Sequence, residues 1–156
     1  MIHIIVAIDR KGAIGKNGDL LFHIREDLRR FKAITMGNTL VMGRKTFESL
    51  PGGALPGRRN IVITRSEDFS APGVETAKSP GEALAMAAVG PGDTFIIGGG
   101  QIYAATLPMA DVLDITLVDR EDPEADTRFP AIDLDAYHIK ALDRHDGFAF
   151  ITLSKN

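Results

Sequence analysis

The sequence predicts an α/β domain built around a mostly parallel sheet, and three observations lead to this class. Short β-branched apolar runs recur at 2–8, 39–42, 60–64, 94–97 and 112–118. Segments with helical spacing lie between them, at about 25–35, 44–50, 80–89 and 99–107. Apolar strands that alternate with helices are typical of a parallel sheet covered by helices. Finally, Asp146-Gly147 separates 137–145 from 148–154, which predicts an antiparallel hairpin at one edge.

The composition fits one compact globular domain over residues 1–156. Hydrophobic residues make up 44% of the 156 residues and charged residues 25%, and a domain of this size can bury a sizeable core. Cysteine is absent, which excludes disulfides and cysteine nucleophiles and suits a reducing compartment, so we expect a cytoplasmic protein. No apolar run is long enough to span a membrane, and the start MIHIIVAIDRKG is interpreted as a first strand, not a signal peptide.

Charge is unevenly distributed along the chain, although the net charge is only -3. Residues 10–65 carry 12 of the 18 Lys and Arg residues against four acids, whereas 111–146 carry 11 acids against four bases. The acidic segment would repel a polyanion, so we expect no nucleic-acid partner. The basic segment suits a small phosphorylated or carboxylated ligand, although solvated surface explains both segments equally well.

Asp27 is the most informative polar residue. In a helix over 25–35 it falls on the same face as Ile24, Leu28, Phe31 and Ile34. A first-turn acid that complements the helix dipole is an equally good explanation. If Asp27 is buried, however, it needs an opposite charge or several donors, and no Lys or Arg shares its arc of the helix. A ligand that offers N–H groups is therefore a candidate partner.

Two junctions between a strand and a helix share a glycine-led design. Gly43 precedes Arg44, Lys45 and Thr46, and Gly98-Gly99-Gly100 precede Gln101. Free backbone N–H groups at a helix start bind anions, so the two junctions suggest a diphosphate held between them, although glycine also serves tight turns. The G-x-G-x-x-G pattern is not met, because Tyr103 stands at the third glycine position, and an ordinary Rossmann domain is disfavoured.

The residues after the next strand indicate which dinucleotide would bind. Arg65 and Ser66 follow Thr64, and together with Arg44 they suit a ribose 2′-phosphate, which favours NADPH over NADH unless they serve only solubility. The preceding loop 9–20 carries three glycines and is either a lid over the ligand or a plain connection.

Adjacent guanidinium groups occur in the turn Pro56-Gly57-Arg58-Arg59. One of them can clamp a carboxylate in bidentate fashion, while we expect the other to face solvent. The four His residues show no spacing typical of a metal site, so no metal is predicted.

Taken together, these segments resemble the dihydrofolate reductase family over nearly the whole chain. The matching pieces are Ala13-Ile14-Gly15, Asp27-Leu28-x-x-Phe31-Lys32, Val41-Met42-Gly43-Arg44-Lys45-Thr46-Phe47-Glu48-Ser49, Leu55-Pro56-Gly57-Arg58, Ile97-Gly98-Gly99-Gly100-x-x-Tyr103 and Asp126-Thr127-x-Phe129-Pro130. The resemblance implies a central, mostly parallel eight-stranded sheet, flanked by about four helices, with the antiparallel C-terminal hairpin. It also implies reduction of 7,8-dihydrofolate to tetrahydrofolate by NADPH, with water protonating N5.

The resemblance further implies a role for each site residue. Asp27 would hold the 2-amino group and N3 of the pterin, supported by Thr116, and Leu20 would close over the nicotinamide beside Phe22. Arg58 would bind the glutamate carboxylate. The rest of the substrate pocket would be formed by Ile5, Ala7, Leu28, Phe31, Leu50, Leu55, Ile97 and Tyr103. The cofactor would contact Ala7, Ile14, Gly15, Gly43, Arg44, Lys45, Thr46, Thr64, Arg65, Ser66, Ile97, Gly98, Gly99, Gly100, Gln101, Ile102 and Tyr103.

The chain departs from the family pattern at three places, one of which is the short Asp146-Gly147 turn, which suggests a trimmed final hairpin. Leu21-Phe22 stands where the family usually has Pro-Trp, which removes an indole N–H that would anchor a water, and Gln101 stands where many relatives carry Arg. Two other functions remain open: a reductase of the same fold acting on a riboflavin-pathway pyrimidine, which Asp27 disfavours, and a nucleotide-binding module without catalysis. The resemblance also implies binding of antifolate inhibitors, and nothing in the sequence demands more than a monomer.

Overall fold

The computed structural model of the chain describes residues 1–16, 19, 20 and 24–156. Within them the strands are β1 (Ile2–Ile8), β2 (Ala13–Lys16), β3 (Asp19–Leu20), β4 (Thr39–Gly43), β5 (Arg59–Ile63), β6 (Val74–Ala77), β7 (Thr94–Ile96), β8 (Val112–Val118), β9 (Thr127–Arg128), β10 (Tyr137–His145) and β11 (Phe148–Lys155). The helices are α1 (Arg25–Thr35), α2 (Arg44–Glu48), α3 (Pro80–Ala88) and α4 (Gly100–Thr106), and short 3-10 turns cover Leu107–Met109 and Leu134–Ala136.

Eight of these strands form one sheet in the order β10-β11-β8-β1-β7-β4-β5-β6. β11 pairs antiparallel with β8 and β10, and the other neighbouring pairs are parallel. The central strands β4 and β7 are buried along nearly their whole length, as expected for parallel strands covered on both faces. The predicted α/β class, the eight-stranded sheet, the four helices and the C-terminal hairpin are therefore confirmed.

Four strands were not predicted from the sequence. β2, β3 and β9 form a separate small sheet, so the loop predicted over 9–20 contains two short strands. β6 is an exposed edge strand, and its sequence VETA has no apolar run that would mark a strand. The predicted boundaries also shift slightly, because the helix predicted over 44–50 ends at Glu48 and the strand predicted over 60–64 is Arg59–Ile63.

Each face of the large sheet packs against its own apolar cluster. Side chains alternate across β1, so Ile4 and Val6 join one cluster while Ile5 joins the other. The first cluster includes residues of α3 and α4, and the second includes Phe31 and Ile34 of α1 together with Phe47 of α2. The face that carries Ile5 is called the α1 face below, and the candidate site lies on it.

Candidate active site

A hydrogen bond joins the two polar residues that the sequence analysis placed at the centre of the site. Asp27 lies in the first turn of α1, and Thr116 lies on β8, where only 2% of its surface is exposed. The Thr116 hydroxyl donates to Asp27 Oδ1 at 2.5 Å. Asp27 Oδ2 accepts no hydrogen bond from the described residues. As far as the described part of the chain shows, this oxygen is therefore available to a ligand.

Burial raises the pKa of the Asp27 carboxyl above its ordinary value, although the Thr116 hydrogen bond and the charge of Arg30 both act to lower it. The charge of Arg30 therefore acts on Asp27, although no Lys or Arg shares the helix arc of Asp27. Arg30 follows Asp27 by three positions, and side chains at this spacing are neighbours on a helix, so the long guanidinium group reaches the same region. Because the pKa of Asp27 is raised overall, the described residues compensate the negative charge of its carboxylate only in part.

An apolar cluster lies on the same sheet face as this carboxylate, the α1 face. Five residues predicted to line a pterin pocket belong to one packed cluster: Ile5, Phe31, Leu50, Leu55 and Ile97. Ala7, at the next position on this face of β1, is half-buried. Leu28 differs from the sequence projection, because 54% of its surface is exposed and it belongs to neither core cluster. Helix α1 thus meets the core mainly through Phe31 and Ile34, while Leu28 borders solvent.

Tyr103 is buried at the start of α4, and its ring lies with the cluster of the opposite sheet face. Its hydroxyl donates to the carbonyl of Ile5 at 2.8 Å. Burial raises the pKa of the Tyr103 hydroxyl, and the negative charge of Asp27 raises it further. Tyr103 therefore stays a neutral hydrogen-bond donor that fixes the middle of β1 next to the site.

The two glycine-led junctions lie side by side. The Gly43 N–H donates to the carbonyl of Gly98 at 2.8 Å, which joins the start of α2 to the segment before α4. A Cβ at Gly43 would lie 3.3 Å from Ile102, and a Cβ at Gly98, where φ is +124°, would lie 3.3 Å from the Tyr103 hydroxyl. The positive φ favours glycine at Gly98, whereas a side chain at Gly43 would have to displace Ile102 by a few tenths of an ångström. The starts of α2 and α4 therefore lie side by side, as a diphosphate held between them would require.

The cationic and polar residues predicted for a cofactor surround the ends of β4 and β5. Arg44 lies over the ring of Phe69, 4.7 Å from its centroid, and its Nε is 3.6 Å from Glu48. Arg65 is exposed after β5, and the Ser66 N–H donates to the Thr64 hydroxyl at 3.2 Å. Lys45 and Gln101 are exposed, whereas Thr46 is half-buried beside Gly98 and Gly99.

Arg58 and Arg59 have different surroundings, and the expectation that one of them simply faces solvent is wrong. Arg59 makes two hydrogen bonds to Glu75 and donates a third to the carbonyl of Met86 at 2.9 Å. Arg58 donates to the carbonyl of Pro56 and the hydroxyl of Thr35, and it pairs with no carboxylate of the described residues. Burial lowers the pKa of the Arg58 guanidinium slightly from its ordinary value.

Asp9, which the sequence analysis did not single out, anchors the loop between β1 and β2. Its buried carboxylate accepts the backbone N–H groups of Lys11, Ala13 and Asp122 at 2.8, 2.9 and 3.0 Å. Burial by itself would raise the pKa of Asp9, but these three donors bring it below the ordinary value. The signal available in the sequence was an acid directly after the first apolar strand.

The adjoining strand β2 carries Ile14 and Gly15, which the sequence predicts to contact the cofactor. Ile14 and Gly15 are buried in β2, and the carbonyl of Gly15 accepts the Asp126 N–H at 3.1 Å. Phe22 and the side chain of Leu20 lie outside the described residues, so their catalytic roles stay predictions. Among the residues that the structure describes, no three His, Asp or Glu side chains come together as a metal site.

The fold and the site define a class: an α/β protein with a half-buried carboxylate on the same sheet face as an apolar cluster, and with two glycine-led helix starts side by side at the ends of parallel strands. Comparison with known proteins narrows this class. A family model described as dihydrofolate reductase matches residues 1–149. The chain belongs to the dihydrofolate reductase family.

Individual relatives agree with this assignment. The chain is similar to a dihydrofolate reductase of Neisseria meningitidis serogroup A, with 49% identity over 143 residues, or 92% of this chain and 86% of that protein. A type 3 dihydrofolate reductase of Salmonella typhimurium is 46% identical over 130 residues, or 83% of this chain and 78% of that protein. A solved structure of Enterococcus faecalis dihydrofolate reductase, complexed with NADP(H) and RAB-propyl, has a TM-score of 0.90 at 37% identity and covers 100% of this chain and 96% of that one.

Proposed function

We propose that the chain catalyses the NADPH-dependent reduction of 7,8-dihydrofolate to 5,6,7,8-tetrahydrofolate, which supplies one-carbon metabolism. The observation that carries this proposal is the Asp27–Thr116 pair at the edge of the apolar cluster, in a chain of the dihydrofolate reductase family. The family membership supports the pterin over the riboflavin-pathway pyrimidine and over a module without catalysis.

The pterin ring supplies what the Asp27 carboxylate lacks. Its 2-amino group and N3 offer two adjacent N–H donors, which match the two oxygens of a carboxylate. Thr116 already donates to Oδ1 and so fixes the orientation of the acid before the ligand arrives. The apolar wall formed by Ile5 and Phe31 would then contact the faces of the ring. Binding therefore compensates a charge that burial disfavours in the free protein.

The remainder of dihydrofolate fits the chain beyond this wall. Leu50 and Leu55 continue the apolar cluster towards the turn that carries Arg58, and Leu28 borders the same region from α1. Because Arg58 has no carboxylate partner among the described residues, its guanidinium is free to bind the glutamate α-carboxylate of the substrate.

The residues present also fit NADPH. Because the Gly43 N–H is already bonded to the carbonyl of Gly98, a diphosphate would bind instead to the first-turn backbone N–H groups of α2 and α4, whose starts lie side by side. Arg44, Arg65 and Ser66 would hold the 2′-phosphate, and Thr64 would support Ser66. Ala7 and Ile97 would lie beside the nicotinamide, because they stand at the ends of the neighbouring strands β1 and β7. Ile14, Gly15, Lys45, Thr46, Gly100, Gln101, Ile102 and Tyr103 would complete the cofactor contacts.

The chain's own contribution to the reaction is binding, alignment and electrostatics. NADPH supplies the hydride that C6 of dihydrofolate accepts. Asp27 would keep the pterin oriented and, as an anion, increase the basicity of N5. A carboxylate that binds N3 cannot also reach N5, so water would deliver the proton there. Closure by the segment around Leu20 and Phe22 would exclude bulk solvent.

We further propose that residues 1–156 act as one domain, as a monomer, in the cytoplasm, and that antifolates compete for the Asp27 pocket. The large sheet supports the single domain, because it uses both β1 and β11. The absence of cysteine supports a reducing compartment. None of the helices described here has the length and apolar character needed to cross a bilayer.

A single assay tests the reaction. The purified chain is mixed with dihydrofolate and either NADPH or NADH, and both nicotinamide oxidation and tetrahydrofolate formation are followed. We expect turnover with NADPH and weaker turnover with NADH. Absence of tetrahydrofolate with both cofactors would contradict the proposed reaction, and a preference for NADH would contradict only the roles of Arg44, Arg65 and Ser66.

A further inference from the structure

A line of charged side chains leads along the α1 face to Asp27. Asp114 and Thr116 are two positions apart on β8, so both side chains lie on this face of the sheet. Across the strand pair, Ile5 is the partner of Asp114 and Ala7 is the partner of Thr116. Asp114 therefore lies beside the pocket floor, although its side chain takes no part in the proposed binding of substrate.

Arg30 is held between Asp114 and an aromatic ring. Its guanidinium carbon lies 4.6 Å from the centroid of the Phe150 ring, and Nη2 lies 3.8 Å from Asp114 Oδ1. The Asp114 side chain is almost fully buried, and that of Arg30 is about three-quarters buried. Two contacts of different kinds thus restrict where the Arg30 charge can lie.

Asp114 is fixed in turn from the other side. Its Oδ2 lies 2.8 Å from Nδ1 of His3, whose ring stacks on Phe95 with centroids 4.4 Å apart. His3 Nε2 is 3.5 Å from Asp93, and the chain's amino group bonds Asp93 at 2.9 Å. The groups near Arg30 on β1, β7 and β8 therefore form a connected network that reaches the surface.

Arg30 lies near Asp27 without covering it, because the Phe150 ring beneath its guanidinium belongs to the register partner of Thr116, which donates to Asp27. The positive charge of Arg30 lowers the pKa of Asp27 against the effect of burial, yet no ion pair within 4.0 Å joins the two among the described residues. A direct ion pair would occupy the carboxylate oxygens that a ligand needs. By binding Arg30, Asp114 keeps the guanidinium near the pocket but away from those oxygens.

We propose that Arg30 is a positioning residue that places a positive charge near the Asp27 carboxylate for ligand binding, and that Asp114, fixed by His3, sets the place of this charge. This inference rests on the proposed binding of the pterin by Asp27. Among the residues described, the other groups that act on Asp27 are Thr116 on β8, which donates a hydrogen bond, and Tyr103 on α4, whose ring lies with the opposite cluster and whose hydroxyl burial keeps neutral.

The first test measures the Asp27 carboxyl directly in the free protein by carbon-13 NMR, with the signal assigned from an Asp27→Asn variant. Arg30→Met keeps an apolar stem over Phe150 but removes the charge, so we expect the titration midpoint of Asp27 to rise by about one pH unit. Arg30→Lys should restore most of the parent value. Arg29→Met, on an exposed position of the same helix, should leave the midpoint unchanged.

Asp114→Asn should move the midpoint in the opposite direction, because it removes a nearby negative charge and releases Arg30 towards Asp27. An unchanged midpoint in Arg30→Met, or a shift equal to that in Arg29→Met, would overturn the inference. Since no substrate is present, this outcome is independent of whether the chain reduces dihydrofolate.

The second test is the pH dependence of the KM for dihydrofolate. We expect the parent and Arg30→Met to converge at high pH, where Asp27 is ionised in both, and to separate as the pH falls. The variant should lose affinity at a pH about one unit higher than the parent. If Arg30 had only a structural role, Arg30→Met would raise the KM for dihydrofolate by the same factor at every pH. That result would overturn the inference.

Discussion

Arg59 and Glu75 form a bidentate ion pair, with Nε–Oε2 and Nη2–Oε1 distances of 2.5 and 2.8 Å. This pair joins β5 to the edge strand β6. The neighbouring Arg58, in contrast, has no carboxylate partner among the described residues. The two adjacent arginines thus have separable functions, one for stability and one for substrate.

Arg58→Gln should raise the KM for dihydrofolate roughly 10- to 100-fold, because a charge-assisted contact to the glutamate carboxylate is lost. The KM for a dihydropterin that lacks the aminobenzoylglutamate tail should not change. Arg59→Gln is the matched control: it should leave both KM values intact and lower the free energy of unfolding by about 1 kcal/mol or less, since the pair is partly exposed. An equal rise in KM for both substrates in Arg58→Gln would contradict the assignment.

Thr116→Val removes the hydroxyl that donates to Asp27 while it keeps the shape of the side chain. The Asp27 carboxylate then loses its described donor, so its pKa should rise further and the KM for dihydrofolate should increase about 10-fold at neutral pH. Steady-state kinetics checks this, with Thr76→Val on the exposed strand β6 as the control. If Thr116→Val binds dihydrofolate like the parent, the hydrogen bond does not orient the acid.

The double variant Arg44→Gln, Arg65→Gln tests the cofactor assignment. Loss of two cations near the expected 2′-phosphate should raise the KM for NADPH roughly 10- to 100-fold and leave the KM for NADH nearly unchanged. The double variant Lys140→Gln, Arg144→Gln on the C-terminal hairpin removes the same number of charges and serves as the control for net charge. A parallel loss with both cofactors would place these two arginines outside the 2′-phosphate site.

Asp9→Asn should destabilise the protein by about 2 kcal/mol at neutral pH, because the amide turns a donor towards one of three backbone N–H groups. The folded-state pKa of Asp9 is below its ordinary value of 3.8. The ionised carboxylate therefore stabilises the folded protein fully above pH 3.8, and this stabilisation is lost as the pH falls through the folded-state pKa. Chemical unfolding at several pH values should therefore show the difference shrinking below about pH 4. Asp68→Asn, on an exposed turn, should show no such pH dependence.

The elements that could be predicted from the sequence are those whose burial dictates their composition. β1 and β8 lie in the middle of the sheet and read as continuous apolar runs, and the periodicity of α1 identified Asp27 on the pocket side. β6 escaped prediction because an exposed edge strand needs no apolar pattern, and β2 and β9 were missed because they are short.

The pairings within the site depend on contacts between distant segments, which local patterns do not specify. Thr116 is 89 positions from Asp27, and only the family resemblance suggested that they meet. The different surroundings of Arg58 and Arg59 depend on where β6 places Glu75. Arg30 was overlooked because its position, three residues after Asp27, is off the apolar arc, while its long side chain still reaches the site.

The most direct test of the account is the rate of dihydrofolate-dependent NADPH oxidation by Asp27→Asn at neutral pH. We predict a fall of roughly 100-fold or more, because the amide cannot supply the negative charge that holds the pterin and polarises N5. The variant should melt no lower than the parent, since the raised folded-state pKa means that ionised Asp27 costs stability at neutral pH. A well-folded Asp27→Asn protein that turns over dihydrofolate as fast as the parent would contradict the account.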